Sequence, residues 1–294
     1  MSILKFGTCS WKYDSWRGIV YSGAGEINYL KEYSEHYNTV EVDQWFWSLF
    51  EGGVVLPRKE DVLMYKQSIP DDFTFTIKLP NSLTLTHYQD KDKTKPLKVN
   101  PYFLSYELFM DFIAALKPIQ NHIGALMFQF EYLNKQKMPS LQVFQSRFQS
   151  FIEKILPLNL PLAVEIRNPN YLSPSYFSFL NDLHLTPVLL DGYFMPPITE
   201  TYNKNKDKIK NSAIIRLHGP DRSGIEKISG GNWDKIYINR DKELQSIFEI
   251  IRDMQNRDIN LYININNHFE GCAPQTIHKL RKLLSMIDAD DKII

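Results

Sequence analysis

The chain has 294 residues, 43% hydrophobic and 23% charged, and its 34 Lys and Arg balance 34 Asp and Glu. That length and apolar content allow a large buried core, while zero net charge supplies no global field to attract nucleic acid or an anionic membrane. No apolar run approaches the roughly 20 residues of a bilayer-spanning helix, so no membrane association is expected. The opening MSILKFGTCSW lacks a charged leader followed by an apolar segment. The two cysteines, Cys9 and Cys272, form no CxxC pair, which suits a reducing compartment. A cytoplasmic protein is expected.

Short β-forming runs alternate with stretches of helical period along the chain. The first strand is LKFGTC (4–9), followed by a helix over 27–37. The second is TVEVDQ (39–44), with a helix over 60–67; the third is FTFTIKL (73–79), followed by the lysine-rich QDKDKTKPLKVN (89–100), read as solvated surface. FLSYELFMDFIAALK (103–117) leads as a helix to strand four, IGALMFQF (123–130), and LQVFQSRFQSFIEKIL (141–156) to strand five, LAVEIR (162–167). The helix PSYFSFLNDLH (174–184) starts well, with the Ser173 hydroxyl to cap it and Pro174 in a first turn that needs no N–H. Strand six is TPVLLD (186–191); TETYNKNKDKIKN (199–211) after it is polar and is read as a loop, which leaves the sixth helix weak or missing. SAIIRLH (212–218), KELQSIFEIIRDMQNR (242–257), NLYININ (260–266) and APQTIHKLRKLLSMI (273–287) complete the series, with Pro274 in the first turn of the last helix. Eight strand–helix units imply a parallel sheet and a closed TIM-type (β/α)8 barrel forming a single domain over 1–294. An open doubly wound sheet is the alternative.

Side chains alternate faces along a strand, so each strand splits into two sets. One set is apolar and suits packing under the helices. The other carries four acids (Glu41, Asp43, Glu165, Asp191) and three bases (Lys78, Arg167, Arg216), with Gln129, His218, Asn264 and Asn266. These gather toward the C-terminal strand ends, where barrel enzymes build their sites. Burying one such charge alone would cost several kcal/mol, so the groups must pair with one another or with a ligand. A salt-bridge network without chemistry is one reading; ionisable groups collected in a cleft also mark functional sites.

Several motifs stand in a set order: FGTCSW, WRG, HYNTVEVDQWFW, FTFTIKLPNSLTLTH, ALMFQF, AVEIRNPNY, IIRLHG and NINNHFEGCAPQT. Together they resemble the DUF72 (YecE-like) family over about residues 5 to 284. The resemblance implies a TIM-barrel fold similar to those of endonuclease IV and xylose isomerase. It places the family's characteristic polar residues at Glu41, Lys78, His87, Gln129, Glu165, Arg167, Arg216, His218, Gly219 and Asn267. The chain departs from the family pattern at Cys9-Ser10-Trp11, at Asp43-Gln44-Trp45 and at Phe269-Glu270-Gly271-Cys272.

Four chemistries are open to this lining. Glu165, Asp191 and His218, with Glu41, offer oxygen-rich ligands suited to Mg²⁺ or Mn²⁺. Arg167 and Arg216 compete for the same carboxylates, so no cofactor is expected and Mg or Mn is the alternative. Glu41 and Glu165 are an acid/base pair of the kind used in glycoside hydrolysis, with His218 as proton shuttle. Phosphate binding has a candidate in the loop over 219–234, where Gly230 and Gly231 would free backbone N–H groups. Aromatics after strands one and two (Trp11, Tyr13, Trp16, Tyr21; Trp45, Phe46, Trp47) would either stack on a ligand or cap a pocket. The expected function is binding of a small polar, anionic, phosphate- or sugar-containing ligand, with acid/base hydrolase or isomerase chemistry. Glu41, Glu165 and His218 are the catalytic candidates; Trp11, Lys78, His87, Gln129, Arg167, Asp191, Arg216 and Asn267 are the ligand-binding ones, and none is assigned to a metal. The alternative is a non-catalytic nucleic-acid-binding protein of endonuclease IV-like type, acting in DNA repair. It would use the lysines at 91, 93, 95 and 98.

Overall fold

The computed structural model describes residues 2–290 apart from 24, 90, 91 and 93, with side chains up to residue 285. Its first elements are β1 (Leu4–Thr8), α1 (Tyr29–His36), β2 (Thr39–Val42), the hairpin strands β3 (Leu49–Phe50) and β4 (Gly53–Val54), α2 (Lys59–Gln67) and β5 (Thr74–Lys78). Then follow α3 (Asn81–Thr84), α4 (Tyr106–Ala115), β6 (Ile123–Phe130), α5 (Leu141–Ile155), β7 (Leu162–Ile166), α6 (Pro174–Asp182) and β8 (Thr186–Asp191). The last are α7 (Ile198–Asn205), β9 (Ser212–Leu217), α8 (Arg222–Ser229), α9 (Asp241–Asn256), β10 (Asn260–Ile265) and α10 (Ala273–Asp290). Apart from the hairpin pair, the eight strands belong to one parallel sheet and alternate with helices, which is the TIM-type (β/α)8 fold class. All eight expected strands are present, within about two residues of their expected bounds.

The chain falls into two compact units, Met1–Glu41 with Pro187–Ile294, and Val42–Thr186. In the first, β1 pairs with β10, β10 with β9 and β9 with β8, in parallel throughout. Strands β1 and β2 are tied by a side chain. The Tyr33 hydroxyl on α1 accepts from Thr8 N at 2.9 Å and donates to Thr39 O at 3.1 Å. That approach is why residue 7 is glycine: a Cβ there would lie 2.2 Å from Thr39 O, a backbone atom that cannot rotate away.

The stretch over 199–211, expected to be a loop, contains a helix, so the sixth helix is neither missing nor weak. Helix α7 buries Ile198, Thr201, Tyr202 and Asn205, the i, i+3, i+4, i+7 stripe of an amphipathic helix. The Tyr202 hydroxyl donates to Asp253 on α9 and accepts from Arg257 at 3.1 Å. Arg257 in turn donates to the carbonyls of Lys206 and Ile209, both at 2.8 Å. A narrow stripe among lysines and asparagines lowers the average hydropathy without erasing the period. The loop expected over 219–234 likewise holds α8. Asp221 caps it by accepting from Gly224 N at 2.9 Å, and Gly230 ends it in the left-handed region, φ 61°. Gly230 and Gly231 therefore close a helix C-terminus, which presents carbonyls rather than the N–H groups an anion needs.

In the second unit β6 pairs in parallel with β5 and β7. Its core is aromatic: Phe128 and Phe130 from β6 pack against Phe109 of α4 and Phe144, Phe148 and Phe151 of α5. Two helices, α5 and α6, start where they are expected, each behind a capping serine. Ser140 accepts from Val143 N, and Ser173 from Tyr176 N ahead of Pro174. Asn81, at the start of α3, holds the hairpin: its Oδ1 accepts from Ser48 N and Leu49 N, each at 2.9 Å.

Candidate functional site

In the first unit the polar strand residues cluster at and beyond the C-terminal ends of β1, β9 and β10. Glu41 and Arg216 are each 1% exposed, and they pair through two hydrogen bonds. Arg216 Nε donates to Glu41 Oε2 at 2.7 Å and its Nη2 to Oε1 at 2.6 Å. Such bidentate pairing is the strong form of a buried carboxylate contact. Asn264 Nδ2 adds a long contact to Oε2 at 3.5 Å. Both oxygens of the predicted acid/base residue Glu41 thus carry a guanidinium.

His218 directly follows β9. Its backbone N–H donates to Asp191 O at 2.7 Å, and its Nε2 lies 3.6 Å from Cys9 Sγ. The Tyr193 ring meets the imidazole edge-on at 6.1 Å. Asp191, at the end of β8, has its carboxyl raised above the usual range by burial, partly opposed by Arg240. Asn267 is 2% exposed; its Oδ1 accepts from Ala273 N, the first residue of α10, at 2.9 Å, while its Nδ2 has no partner. Trp11 is buried, with its carbonyl accepting from the Tyr21 hydroxyl. Trp16 is wholly buried with no partner for its indole N–H. Tyr21 is buried beside them, so these aromatics belong to the interior and not to an open rim.

In the second unit Glu165 is fully buried, and Arg167 Nε donates to its Oε1 at 2.9 Å while a third of the Arg167 side chain stays exposed. Register places Gln129 beside Glu165 on the neighbouring strand. Lys78, 9% exposed, sets its ammonium 4.0 Å from the Phe46 ring centroid, a close cation–π contact. His87 lies further along the chain, with Nδ1 2.9 Å from Thr86 Oγ1, and burial and Lys137 lower its basicity.

The second unit also has a groove of about 900 Å³ that the sequence did not announce. Trp47, Phe50, Tyr88, Lys95, Lys98 and Lys137 are among its lining, and Trp47 is 61% exposed and Phe50 52%. The Lys98 ammonium lies 4.9 Å from the Tyr88 ring centroid. Of the lysines expected to form a basic stripe, 95 and 98 line this groove and 91 and 93 lie outside the described residues. Among the described residues no group of three or more His, Cys, Asp or Glu side chains is placed to hold a metal ion. No helix among them is long and apolar enough to cross a membrane. Both cysteines are buried and neither forms a disulfide, and burial pushes the Cys272 thiol up to about 11.

What sequence reasoning underrated was Cys9 and the indole N–H of Trp16. Both stand in the quoted first motif region, but only the structure shows a thiol meeting an imidazole or an N–H buried without an acceptor.

A structure of a DUF72 family protein from Enterococcus faecalis shares 20% identity and covers 96% of this chain and 95% of its own, with a TM-score of 0.66. A DUF72 family protein from Thermotoga maritima shares 21%, covering 96% and 99%, with a TM-score of 0.63. A D-tagatose 3-epimerase-like protein shares 11%, covering 99% and 100%, with a TM-score of 0.54. At such identities the likeness speaks for the fold. No curated protein matches the chain. The family described as "Protein of unknown function DUF72" matches residues 5–291, and the chain belongs to that family.

Proposed function

We propose that the C-terminal ends of β5, β6 and β7 bind a small anionic ligand, a phosphate-bearing sugar or nucleotide derivative, and that the protein is a cytoplasmic hydrolase or isomerase acting on it. One observation carries the reading. The buried Glu165 carboxylate fixes Arg167 through Nε alone, while the guanidinium lies in a side chain one third exposed. An arginine oriented in this way is pre-organised for bidentate contact with a phosphate or carboxylate. Lys78 and Gln129, from the two preceding strands, supply a second cation and an amide. Within this unit the acid/base part falls to Glu165. The epimerase-like neighbour agrees with a sugar-class ligand, but a shared fold alone does not assign a reaction.

Calorimetric titration with inorganic phosphate and ribose 5-phosphate tests the reading, in chelator and again with Mg²⁺ or Mn²⁺. Binding is expected in chelator. Arg167→Met should weaken it by roughly tenfold to a hundredfold, the worth of one charged hydrogen bond. No binding by the wild type, or equal binding by the variant, would sink the reading. Strict dependence on the divalent ion would move the site to the metal-based alternative.

A second reading, a nucleic-acid binder, is favoured by the groove. Exposed Trp47 and Phe50 beside Lys95 and Lys98 resemble the alternation of stacking platforms and cations that holds unpaired bases. Its mark would be an affinity for single-stranded oligonucleotide that falls steeply between about 50 and 200 mM salt and is lost in Trp47→Ala. Flat salt dependence removes it.

A further inference from the structure

The groove of the second unit opens beside the strand ends assigned above to the anion. Lys78 closes β5 and sets its ammonium 4.0 Å from the centroid of the Phe46 ring. Trp47, on the groove's wall, meets that same ring edge-on at 5.1 Å. The segment is held from β5, since Asn81 N, three residues beyond Lys78, donates to Phe46 O at 2.6 Å. From β6, Lys137 lines the groove and donates at 2.5 Å to Glu131, which directly follows that strand. A ligand whose anionic end rests at the ends of β5 and β6 therefore has the groove next to it.

The groove's volume, about 900 Å³, falls in the range of small-molecule sites. Trp47 and Phe50 present flat rings more than half exposed. Two of its lysines are already matched, Lys98 by Glu51 at 3.6 Å and Lys137 by Glu131. Asn81 is 3% exposed and lines the same space. Its Oδ1 accepts from Ser48 N and Leu49 N, each at 2.9 Å, and from Ser48 Oγ at 3.1 Å, which fixes the oxygen end of the amide. Its Nδ2 has no hydrogen-bond partner among the described residues. Asn134, also on the wall, is held alike, with Oδ1 accepting from Gln136 N and Lys137 N at 3.0 Å.

A buried N–H left unmet is costly, and a ligand acceptor removes that cost. A sugar hydroxyl needs an acceptor as well as a donor, and both of these amide oxygens are spent. A carbonyl on the edge of a planar heterocycle needs only the donor, and its flat face suits an exposed indole. We propose that the ligand is a nucleotide with a carbonyl-bearing base of the uracil type. Its phosphate lies at the ends of β5, β6 and β7, its base stacks on Trp47, and Asn81 Nδ2 donates to a base carbonyl. This assignment rests on the anion reading and narrows its ligand from sugar phosphates in general to nucleoside phosphates.

Calorimetric titration of the full chain with uridine 5′-monophosphate, ribose 5-phosphate and uridine tests it, because the two fragments divide the nucleotide into anionic and aromatic parts. The nucleotide should bind roughly tenfold to a hundredfold tighter than ribose 5-phosphate, the worth of one stacked base. It should exceed uridine by a similar factor, the worth of a charged hydrogen bond. Trp47→Ala should erase the preference for the nucleotide over ribose 5-phosphate. Asn81→Asp keeps an oxygen for the Ser48 and Leu49 N–H groups and puts a second one where the NH₂ stood. It should weaken the nucleotide about tenfold more than ribose 5-phosphate.

If ribose 5-phosphate binds as tightly as the nucleotide, the base adds nothing: the nucleotide assignment fails and the anion reading stands. If uridine binds as tightly as the nucleotide, or neither phosphate binds, the anion reading fails and takes the assignment with it. A preference that survives Trp47→Ala also overturns the assignment, since the base then lies elsewhere. Binding of a single-stranded oligonucleotide without the mononucleotide overturns it in favour of an extended strand.

Discussion

Replacing Arg216 by methionine should destabilise the protein by about 3–5 kcal/mol, because it leaves a buried carboxylate without its counter-charge. Glu41 is 1% exposed and both its oxygens are bonded to Arg216, so water cannot replace the guanidinium without opening the unit. The reverse change, Glu41→Leu, strands the arginine in the same way. Pairing Glu41→Gln with Arg216→Met removes both charges and keeps an acceptor for the Asn264 amide, so most of the loss should return. Buried ion pairs are often no more stable than apolar groups of like volume. Urea unfolding followed by far-UV circular dichroism decides the matter. A single variant whose midpoint matches the wild type would show that the pair contributes little. A double variant no better than Arg216→Met would show that the arginine's other contacts matter more than charge balance.

The second large effect belongs to the other unit. Phe128→Ala should cost about 3–5 kcal/mol, the range for emptying an aromatic site in a packed core. The Phe128 ring stacks on Phe109 with centroids 6.2 Å apart and meets Phe148 and Phe151 edge-on at 5.2 and 5.8 Å. Removing it leaves three rings without their common neighbour, and α5 is then held to β6 through Phe130 against Phe144 and Phe148. Phe128→Leu retains much of the volume and should cost far less. Hydrogen exchange read by peptide would show the loss as faster exchange in β6 and α5. Unchanged exchange there would mean that the cluster closes over the gap.

Strand positions and the polar set along them were legible because both follow from a period of two, and that period survives any change in the surroundings. Glu41 and Arg216 were found this way. Their pairing was not, since it joins residues 175 positions apart and depends on which polar groups reach one another. The same limit applies to Cys9 and His218, and to the unmet N–H of Trp16. Helix α7 was missed for a different reason: four buried positions among lysines and asparagines are outvoted in an average but not in a phase. The groove beside Trp47 rests on a six-residue hairpin pinned by Asn81, thirty-odd residues downstream, and no local pattern carries that.

The Glu41–Arg216 pair also constrains how the sequence can change over time. A lineage that alters either residue first must pass through a chain with an unmatched buried charge, and at that cost most such intermediates fail to persist. The two positions can be exchanged together, or after other changes have raised stability, but hardly one by one. Invariance at Glu41 and Arg216 among relatives would therefore arise from the burial itself, with or without any reaction performed there.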